Sequence, residues 1–396
     1  MTTRPAVSTL ARAIAAHGLP GSLAETPSQP LDEHPWRELL FRARSQRMTP
    51  LLVQAVTSGS LPATDAQVAE ILDVDIRALA RVLTLEAMLL RLAEVLERAG
   101  VPFRVLKGPA VAHLDYPDPA FRDFGDIDLL IHPNDFDRSI AVLSGQGYSR
   151  RFPEPRTGFD HRFTKSVSVS NPIGQEVDVH RTIAPGAFGL RVQVEMLWTA
   201  PPAQFALGGR SFGALGSTER FIHACYHGVL GNAPPRLVPQ RDIAQMLLHG
   251  SVDPDRVLSL AAAWRGEPVV ARAITAAWST LRLTDVVSLS AWAARYTLGA
   301  REKRELARAT SPGYSYAAQA VDSVRAIATA RERLAYVSAL AFPRRSYLSG
   351  RHSGFTSRVR HAVSELRAAR ALRPAAEPAT VDAGRSAHVD SSKGEP

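Results

Sequence analysis

The chain of 396 residues contains a single cysteine, Cys225, and no long apolar run. One cysteine excludes an internal disulfide and any zinc site built from cysteines. No run approaches the roughly 18 to 20 apolar residues of a membrane helix. Arg12 and His17 interrupt the apolar residues near the N-terminus, which therefore has no signal-peptide core. These absences predict a cytoplasmic protein without a membrane span.

Lysine is also scarce, although the formal net charge is +9. Its only occurrences are Lys107, Lys165, Lys303 and Lys393, so arginine carries almost all of the positive charge. Positive charge attracts phosphate-bearing partners such as nucleotides, RNA or a membrane surface. The alternative explanation of the arginine preference is genomic base composition, which has no bearing on function. RNA therefore stays open as a partner, and each lysine gains interest.

The remaining composition, with 45% hydrophobic and 21% charged residues, is typical of a soluble globular protein. The length leaves room for two domains, or for one large domain with a helical addition. The patterning predicts an N-terminal helical region over 1–84, an α/β core over 85–200 and a C-terminal helical region over 201–373. Residues 374–396 have few large apolar side chains, which predicts a disordered tail.

A long helix or a helix pair is predicted over residues 66–99. Apolar residues recur there at i, i+3, i+4 and i+7 and form one stripe, which is typical of an amphipathic helix. The members of this stripe are Leu85, Met88, Leu89, Leu92, Val95 and Leu96. Gly100 is well placed to end the helix.

The period changes after residue 100 and indicates strands. "VPFRVLKG" (101–108) and "DIDLLIHP" (126–133) read as two short strands, and 134–145 reads as a helix. Residues 162–183 read as a hairpin, because valines alternate with polar residues on both sides of the turn sequence "NPIG". Strand, strand, helix and hairpin predict a small mixed sheet.

Asp126 and Asp128 stand one residue apart at the start of the second strand. Side chains alternate between the faces of a strand, so both carboxylates point the same way. They repel each other unless a divalent cation neutralises them, and oxygen ligands favour Mg²⁺ or Mn²⁺. Asp178 on the hairpin would complete a three-carboxylate cluster able to hold the two metal ions of nucleotidyl transfer. The alternative is that "DFGD" is a turn and that Asp178 faces solvent.

Four further residues are candidates for binding a nucleotide. Lys107 and Gly108 precede an expected helix, where free backbone N–H groups and the helix dipole suit a phosphate. Arg122 either binds phosphate or forms an ion pair with one of the aspartates. His180 shares the face of Asp178 and either contacts a substrate phosphate or has a structural role.

Three other features carry weaker signals. His223 and His227 are spaced i, i+4 but lack the glutamate of H-E-x-x-H, so we expect packing or hydrogen-bonding roles. Arg241 and Asp242 form either a pair that lines the cleft or a surface ion pair. The basic helix expected around 356–373 either binds RNA or anionic lipid or is a solvated face, and no interleaved aromatics indicate base stacking.

The order of four short motifs carries a resemblance. "LKG" is followed by a tyrosine, then by "R-x-x-x-D-I-D-L-L-I" and then by "V-D-V-H". With its motifs in this order, the chain resembles the uncharacterised nucleotidyltransferase family of the DNA polymerase β-type superfamily. The matching residues are Leu106, Lys107, Gly108, Tyr116, Arg122, Asp126, Asp128, Asp178 and His180. The resemblance covers about 85–250. It implies an α+β fold, with a nucleotidyltransferase mixed-sheet core between N-terminal helices and a C-terminal helical domain.

The resemblance also implies an activity. NMP would move from an NTP donor to a hydroxyl or phosphate on a small molecule, a peptide or RNA, with Mg²⁺ or Mn²⁺ as cofactor. Asp126 and Asp128 would bind both metal ions, and Asp178 would bind the catalytic one and help to activate the acceptor. The turn containing Gly108 would hold the triphosphate, although Gly108-Pro109 replaces the usual Gly-Ser or Gly-Gly and so lacks the serine–phosphate contact.

Besides an RNA-binding or RNA-modifying protein that uses its positive surface, which overlaps the transferase, two other functions stay open at this point. The first is a non-catalytic nucleotide-binding or scaffold protein with the same fold, against which the retention of three clustered carboxylates counts. The second is a glycosyltransferase whose D-x-D holds Mn²⁺ and a sugar nucleotide. That fold would need a longer α/β half before the D-x-D, whereas this chain has mostly helical patterns there.

Overall fold

The computed structural model describes residues 7–231, 235–312, 314 and 316–349. The basic helix predicted at 356–373 and the tail predicted at 374–396 lie outside these residues. Within the described part of the chain, no helix combines the length and the apolar character that crossing a membrane requires.

A mixed sheet of seven strands lies at the centre of the fold, in the order β3-β4-β5-β2-β1-β7-β6. The strands are β1 (Phe103–Val105), β2 (Ile127–Ile131), β3 (Ser149–Arg150), β4 (Ser166–Ser170), β5 (Glu176–His180), β6 (Ala203–Leu207) and β7 (Arg210–Ala214). The pairs β2–β5 and β1–β7 are parallel, and the other neighbours are antiparallel. The sheet among many helices makes the fold α+β, as predicted.

Helices surround the sheet. Those before and within its first five strands are α1 (Val7–Ala16), α2 (Glu33–Ser45), α3 (Thr49–Thr57), α4 (Asp65–Arg98), α5 (Pro109–Asp115), α6 (Phe136–Gly145) and α7 (Asp160–Phe163). Then follow α8 (Gly186–Arg191), α9 (Val194–Thr199), α10 (Ser217–Leu230), α11 (Leu237–His249), α12 (Pro254–Trp264) and α13 (Glu267–Leu281). The last are α14 (Ser288–Arg295), α15 (Ala300–Ala309), α16 (Tyr316–Ala326), α17 (Ala330–Ala341) and α18 (Arg345–Ser349). Short 3₁₀ turns occupy Pro119–Phe121 and Pro133–Asp135.

The two faces of the sheet contact different helices. Ile127, Leu129 and Ile131 of β2 share a hydrophobic core with the α4 stripe. This confirms a single long helix over the predicted range, since α4 buries five of the six stripe residues and partly buries Val95. Leu130 faces the opposite way, into a core built mainly from α8 to α13. The alternation of β2 therefore directs its even-numbered side chains, including Asp128, toward the C-terminal helices.

The predicted hairpin is present as β4 and β5. Its valines are buried, and the alternating serines of β4 are half-buried. Asn171 shapes the turn, because its side-chain oxygen accepts hydrogen bonds from the amides of Ile173 and Gln175. Gly174 adopts a positive φ in this turn, which glycine does without steric cost. Hairpin register and sheet faces thus follow directly from the valine pattern.

Two strands lie where the sequence analysis expected the C-terminal helical region. β6 and β7 form a hairpin that joins the sheet through β1, and Phe205 and Phe212 are its buried aromatics. The two-residue turn Gly208-Gly209 has positive φ at both positions, as this kind of tight hairpin turn requires. The domain division at residue 200 stays a prediction, although the sheet itself continues beyond it.

The N-terminal helices pack on the C-terminal half of the chain. Residues of α1, α2 and α3 share a hydrophobic core with Val238 and Ala244 of α11 and Leu281 of α13. Gln46, just after α2, accepts a hydrogen bond from the amide of Leu237 at 3.1 Å. The loop after α2 is therefore held close to the start of α11.

Candidate active site

The strand register brings the predicted acidic residues together. In the parallel pair β2–β5, Asp128 lies opposite Asp178 and Leu130 lies opposite His180. Because opposite residues point to the same side of a sheet, Asp128, Asp178 and His180 share one face. Asp126 is the residue before β2, two positions from Asp128, and its side chain lies at the same end of the strand.

Asp128 is the most enclosed of these carboxylates. Its side chain is 0% exposed, whereas that of Asp126 is 39% exposed. One oxygen, Oδ1, lies 2.8 Å from Nε2 of His180. The other, Oδ2, lies 3.0 Å from Nζ of Lys107, which is also 3.4 Å from Asp126 Oδ2. A single ammonium group therefore stands between the two aspartates of the D-x-D.

The charges in this cluster stabilise one another. Burial opposes the ionisation of Asp128, but Lys107 and His180 hold the pKa of this carboxyl well below its ordinary value. Burial likewise opposes the protonated form of Lys107, and Asp128 and Asp126 nevertheless raise the pKa of its amine. The site therefore holds a charged carboxylate and a charged ammonium group in contact.

The donor set fits a divalent cation. Asp128, Asp178 and His180 offer ligand atoms that all lie within 4.8 Å of one another. Oδ2 of Asp128 is buried, and its contact in the described part of the chain is the ion pair with Nζ of Lys107 at 3.0 Å. Carboxylate oxygens are the donors that Mg²⁺ and Mn²⁺ prefer.

The turn between β1 and α5 sets the position of Lys107. Gly108 has φ +58°, and a Cβ there would lie 3.3 Å from the carbonyl oxygen of Asp126. Glycine is thus required both by the backbone conformation and by the close approach of this turn to the D-x-D segment. Helix α5 begins directly after it at Pro109 and has only seven residues. Contact between this turn and a triphosphate stays a prediction.

Arg122 has a different partner from those predicted. Its guanidinium donates to both oxygens of Asp242, with Nε and Nη2 each at 2.8 Å, and Tyr116 donates to the same carboxylate at 2.8 Å. Arg122 is therefore not brought to the carboxylate cluster. It ties the segment that leads into β2 to α11.

The expected pairing of Arg241 with Asp242 does not occur. Both residues are buried, so the surface alternative is also wrong. Arg241 donates to the carbonyl oxygens of Ala15 and His17, and to Gln245. Adjacent residues on a helix point in different directions, which is why each has its own partner.

Sequence reasoning missed Arg47. This residue follows α2 with φ +57°, a conformation that is unusual for a residue with a Cβ. Its Nη1 lies 3.7 Å from Asp126 Oδ1, and its guanidinium covers Gly125 so closely that a Cβ there would overlap it. The N-terminal helical region thus contributes a cation to the outer carboxylate of the site.

Lys165 and the α10 histidines also belong to the surroundings of the cluster. Burial and the charge of Lys107 lower the pKa of Lys165, while Asp128 and Asp178 act against this shift. Burial, followed by nearby positive groups that include Lys107 and Lys165, lowers the pKa values of His223 and His227, while Asp128 acts against this shift. The scarcity of lysine was the signal that could have identified Lys165, since two of the four lysines lie at this site.

A mixed sheet that presents paired aspartates from neighbouring strands defines a nucleotidyltransferase-like core. The model of the uncharacterised nucleotidyltransferase family matches residues 32–281, and the chain belongs to this family. The match begins in the N-terminal helices and ends with α13, so both Arg47 and the Arg122–Asp242 pair lie inside it.

Among solved structures, the chain is similar to an antigenic nucleotidyltransferase-like protein from Paracoccidioides brasiliensis. The two chains share 17% identity with a TM-score of 0.31, and the match covers 52% of this chain and 94% of that one. No curated protein matches the chain.

Proposed function

We propose that the protein is a metal-dependent nucleotidyltransferase that moves NMP from an NTP to a hydroxyl or phosphate acceptor. The observation that carries this proposal is the pairing of Asp128 with Asp178 across parallel strands, on the face of the sheet that also carries His180. Two carboxylates that face each other in this way repel unless a cation joins them. The family to which the chain belongs supports the reaction class.

The proposal assigns the metal ligands. Asp126, Asp128 and Asp178 would hold Mg²⁺ or Mn²⁺, and the ion would supply charge neutralisation at the phosphates of the donor. Ser168 donates a hydrogen bond to Oδ1 of Asp178 and so fixes the orientation of this carboxylate. His180 does the same for Asp128 through its contact with Oδ1. The orientation of Asp178 and of Asp128 is thus fixed through Oδ1, and Oδ2 of Asp128 faces Lys107.

The remaining residues bind and orient the donor. Lys107 lies at the buried end of the D-x-D and Arg47 at its exposed end, so a triphosphate over the cluster would meet a cation on each side. Lys165 adds a third positive group. Arg122 has the positioning role that its pair with Asp242 gives it, because it anchors the segment before Asp126.

For a hydroxyl acceptor, the bond changes are these. The acceptor oxygen forms a bond to the α-phosphorus as the bond from that phosphorus to the β-bridging oxygen breaks. Pyrophosphate leaves with the electron pair, and we assign Asp178 to take the proton of the acceptor. Placement and electrostatic stabilisation account for most of the catalysis in reactions of this type.

A non-catalytic nucleotide-binding protein is the second candidate. The contact of Lys107 with both aspartates favours it, because the ammonium group already neutralises the D-x-D without a metal ion. The two candidates differ in one property: only the enzyme needs the divalent cation for its function. A glycosyltransferase is not carried further, since a single strand precedes Asp126 in the described chain.

The first test is a thermal-shift measurement with each of the four NTPs in the presence of Mg²⁺ or Mn²⁺. We expect one NTP to raise the Tm only when the metal is present, and the Asp126→Ala/Asp128→Ala variant to lose this shift. A shift that is independent of metal would favour the non-catalytic module. The absence of a shift with every NTP would contradict a nucleotide site.

A further inference from the structure

Helix α17 carries a row of exposed apolar side chains. Its members are Ala330, Leu334, Val337 and Ala341, and the two large ones, Leu334 and Val337, are 71% and 46% exposed. With about 100° of rotation per residue, the four side chains fall within an arc of roughly 60°. Phe342, directly after the helix, is 65% exposed. A contiguous apolar row on one side of a surface helix marks an interaction surface.

The row lies away from the core that holds α17. Tyr336 and Ala339 are buried and share a small core with Phe159 and Phe163, whose rings contact Tyr336. By the same rotation, these two α17 side chains point roughly 130–170° from the centre of the row. The helix is therefore attached to the fold by its opposite side.

Two arginines flank the row. Arg331 lies roughly 90° from its centre on one side and Arg333 roughly 70° on the other, and both are exposed. Arg333 donates from Nε to the carbonyl oxygen of Ile327, which leaves its charge intact. Neither guanidinium pairs with a carboxylate in the described part of the chain. The row is thus bordered on both sides by cations whose charge is not neutralised.

Negative charge is absent from this side of the helix. Glu332 is the only acid of α17, and its direction is roughly 170° from the centre of the row. Arg344 and Arg345, just beyond the helix, are exposed as well. The sequence that follows, residues 350–373, adds six arginines and one acid. A partner for this surface must therefore be anionic and must also accept aliphatic side chains.

We propose that the row and its flanking arginines are a docking surface for an anionic lipid membrane, on which α17 lies parallel to the bilayer plane. Leu334 and Val337 would enter the boundary between headgroups and acyl chains, while Arg331 and Arg333 extend to the headgroup phosphates and carboxylates. An RNA would use the arginines and leave the aliphatic row exposed, since bases stack on aromatic side chains. The surface is independent of the carboxylate site and of the function proposed for it.

Vesicle co-sedimentation of the full chain tests the proposal. One set of vesicles contains phosphatidylcholine with about 30% phosphatidylserine, and the other contains phosphatidylcholine alone. We expect binding to the anionic vesicles only, and a weaker affinity when NaCl is raised from about 0.1 M to about 0.5 M. No binding to the anionic vesicles at the lower salt concentration would overturn the proposal.

Leu334→Asp tests the apolar row. The change removes an aliphatic anchor and directs a carboxylate at anionic lipid, so the affinity for the anionic vesicles should fall at least about tenfold. The matched control is Ile173→Asp, because Ile173 is 78% exposed in the β4–β5 turn and the change in charge is the same. Circular dichroism checks that both variants fold. An unchanged affinity of folded Leu334→Asp, or equal losses in both variants, would show that the row does not enter the membrane.

The double variant Arg331→Ala/Arg333→Ala tests the flanking cations and should weaken binding to the anionic vesicles about tenfold or more. Arg272→Ala/Arg295→Ala is the matched control, since it removes the same charge from exposed positions of α13 and α14. Equal losses in the two double variants would mean that net charge, and not this surface, directs binding.

Two results would assign the surface to another partner and overturn the proposal. The first is binding of poly(U), in a fluorescence-anisotropy titration, that Arg331→Ala/Arg333→Ala weakens while the vesicles stay unbound. The second is a lower Tm of Leu334→Asp in the absence of vesicle binding, which would show that another part of the chain or a second copy covers the row.

Discussion

Two groups of buried charges differ in the hydrogen bonds that their carboxylates accept. The Asp242 cluster consists of Asp242, Arg122 and Tyr116, and the Asp128 cluster consists of Asp128, Asp126, Asp178, Lys107 and His180. Asp242 accepts two hydrogen bonds from Arg122 and one from Tyr116, so both of its oxygens are satisfied. Asp128 has one buried oxygen whose contact among the described residues is a single ammonium group, that of Lys107, and this group is shared with Asp126 while a further carboxylate, Asp178, lies opposite. A carboxylate whose oxygens all accept hydrogen bonds from the protein stabilises the fold. A carboxylate with fewer such partners is able to bind a ligand.

This difference separates residues that the sequence pattern groups together. Arg122 and Asp128 belong to the same short motif and are only six positions apart. The structure directs one toward α11 and the other toward β5. A motif therefore shows that its residues matter without showing whether they act on a substrate or on the fold.

The largest expected effect is that of Asp128→Asn on turnover. Loss of this charge removes the ligand that joins Lys107, His180 and the metal position, and we expect the rate to fall by at least about 10²- to 10³-fold. Steady-state kinetics with the donor found by thermal shift measures it. A rate near that of the wild type, in a variant with a native circular dichroism spectrum, would remove Asp128 from the mechanism.

The complementary change, Asp242→Asn, should act on stability. It leaves the buried Arg122 guanidinium without a counter-charge, and breaking such a pair typically costs about 3–5 kcal/mol. Urea unfolding measures the free energy of unfolding. Tyr116→Phe is the milder control, since it removes one hydrogen bond and should cost about 1 kcal/mol. If Asp242→Asn is as stable as the wild type, the ion pair between Arg122 and Asp242 does not stabilise the fold.

Arg47→Ala should weaken binding of the NTP donor more than it slows the chemical step. Loss of a charge-assisted contact to phosphate is worth about 1.5–3 kcal/mol, which predicts a KM for the donor raised about tenfold or more with kcat less affected. Arg44→Ala is the matched control, because Arg44 is an exposed arginine on the preceding turn. Equal KM values for both variants would exclude Arg47 from donor binding.

The smallest effect concerns the backbone at Arg47. Arg47→Gly and Arg47→Ala both remove the guanidinium, but only glycine adopts φ +57° without steric cost. The glycine variant should therefore be more stable than the alanine variant by about 1 kcal/mol, with the same donor KM. Thermal unfolding of the two variants checks this, and an alanine variant as stable as the glycine variant would show that no strain is held there.

Local sequence pattern was sufficient to predict the strands β1, β2, β4 and β5 and the positions of the aspartates on them. The alternation of valines fixed the faces of β4 and β5, and the D-x-D spacing placed Asp126 and Asp128 at one end of β2. The hairpin β6–β7 had a local signal as well, in the Gly-Gly turn between alternating residues. It was overlooked because the neighbouring segments read as helical.

Contacts across long stretches of chain could not be predicted in the same way. Arg122 and Asp242 are 120 positions apart, and Arg47 reaches Asp126 from the end of a helix that belongs to another core. Periodicity reports which face of an element is buried. It does not report which distant element covers that face or which charge it brings.

Direct binding of Mn²⁺ tests the central claim that the Asp128 cluster is an incomplete, cation-binding group and the Asp242 cluster is not. Electron paramagnetic resonance would follow free Mn²⁺ during titration of the wild type, Asp128→Asn and Tyr116→Phe, with a non-hydrolysable NTP present. We expect the wild type and Tyr116→Phe to bind the ion with similar affinity, and Asp128→Asn to lose this binding. Equal binding by all three proteins, or binding by none, would contradict the account.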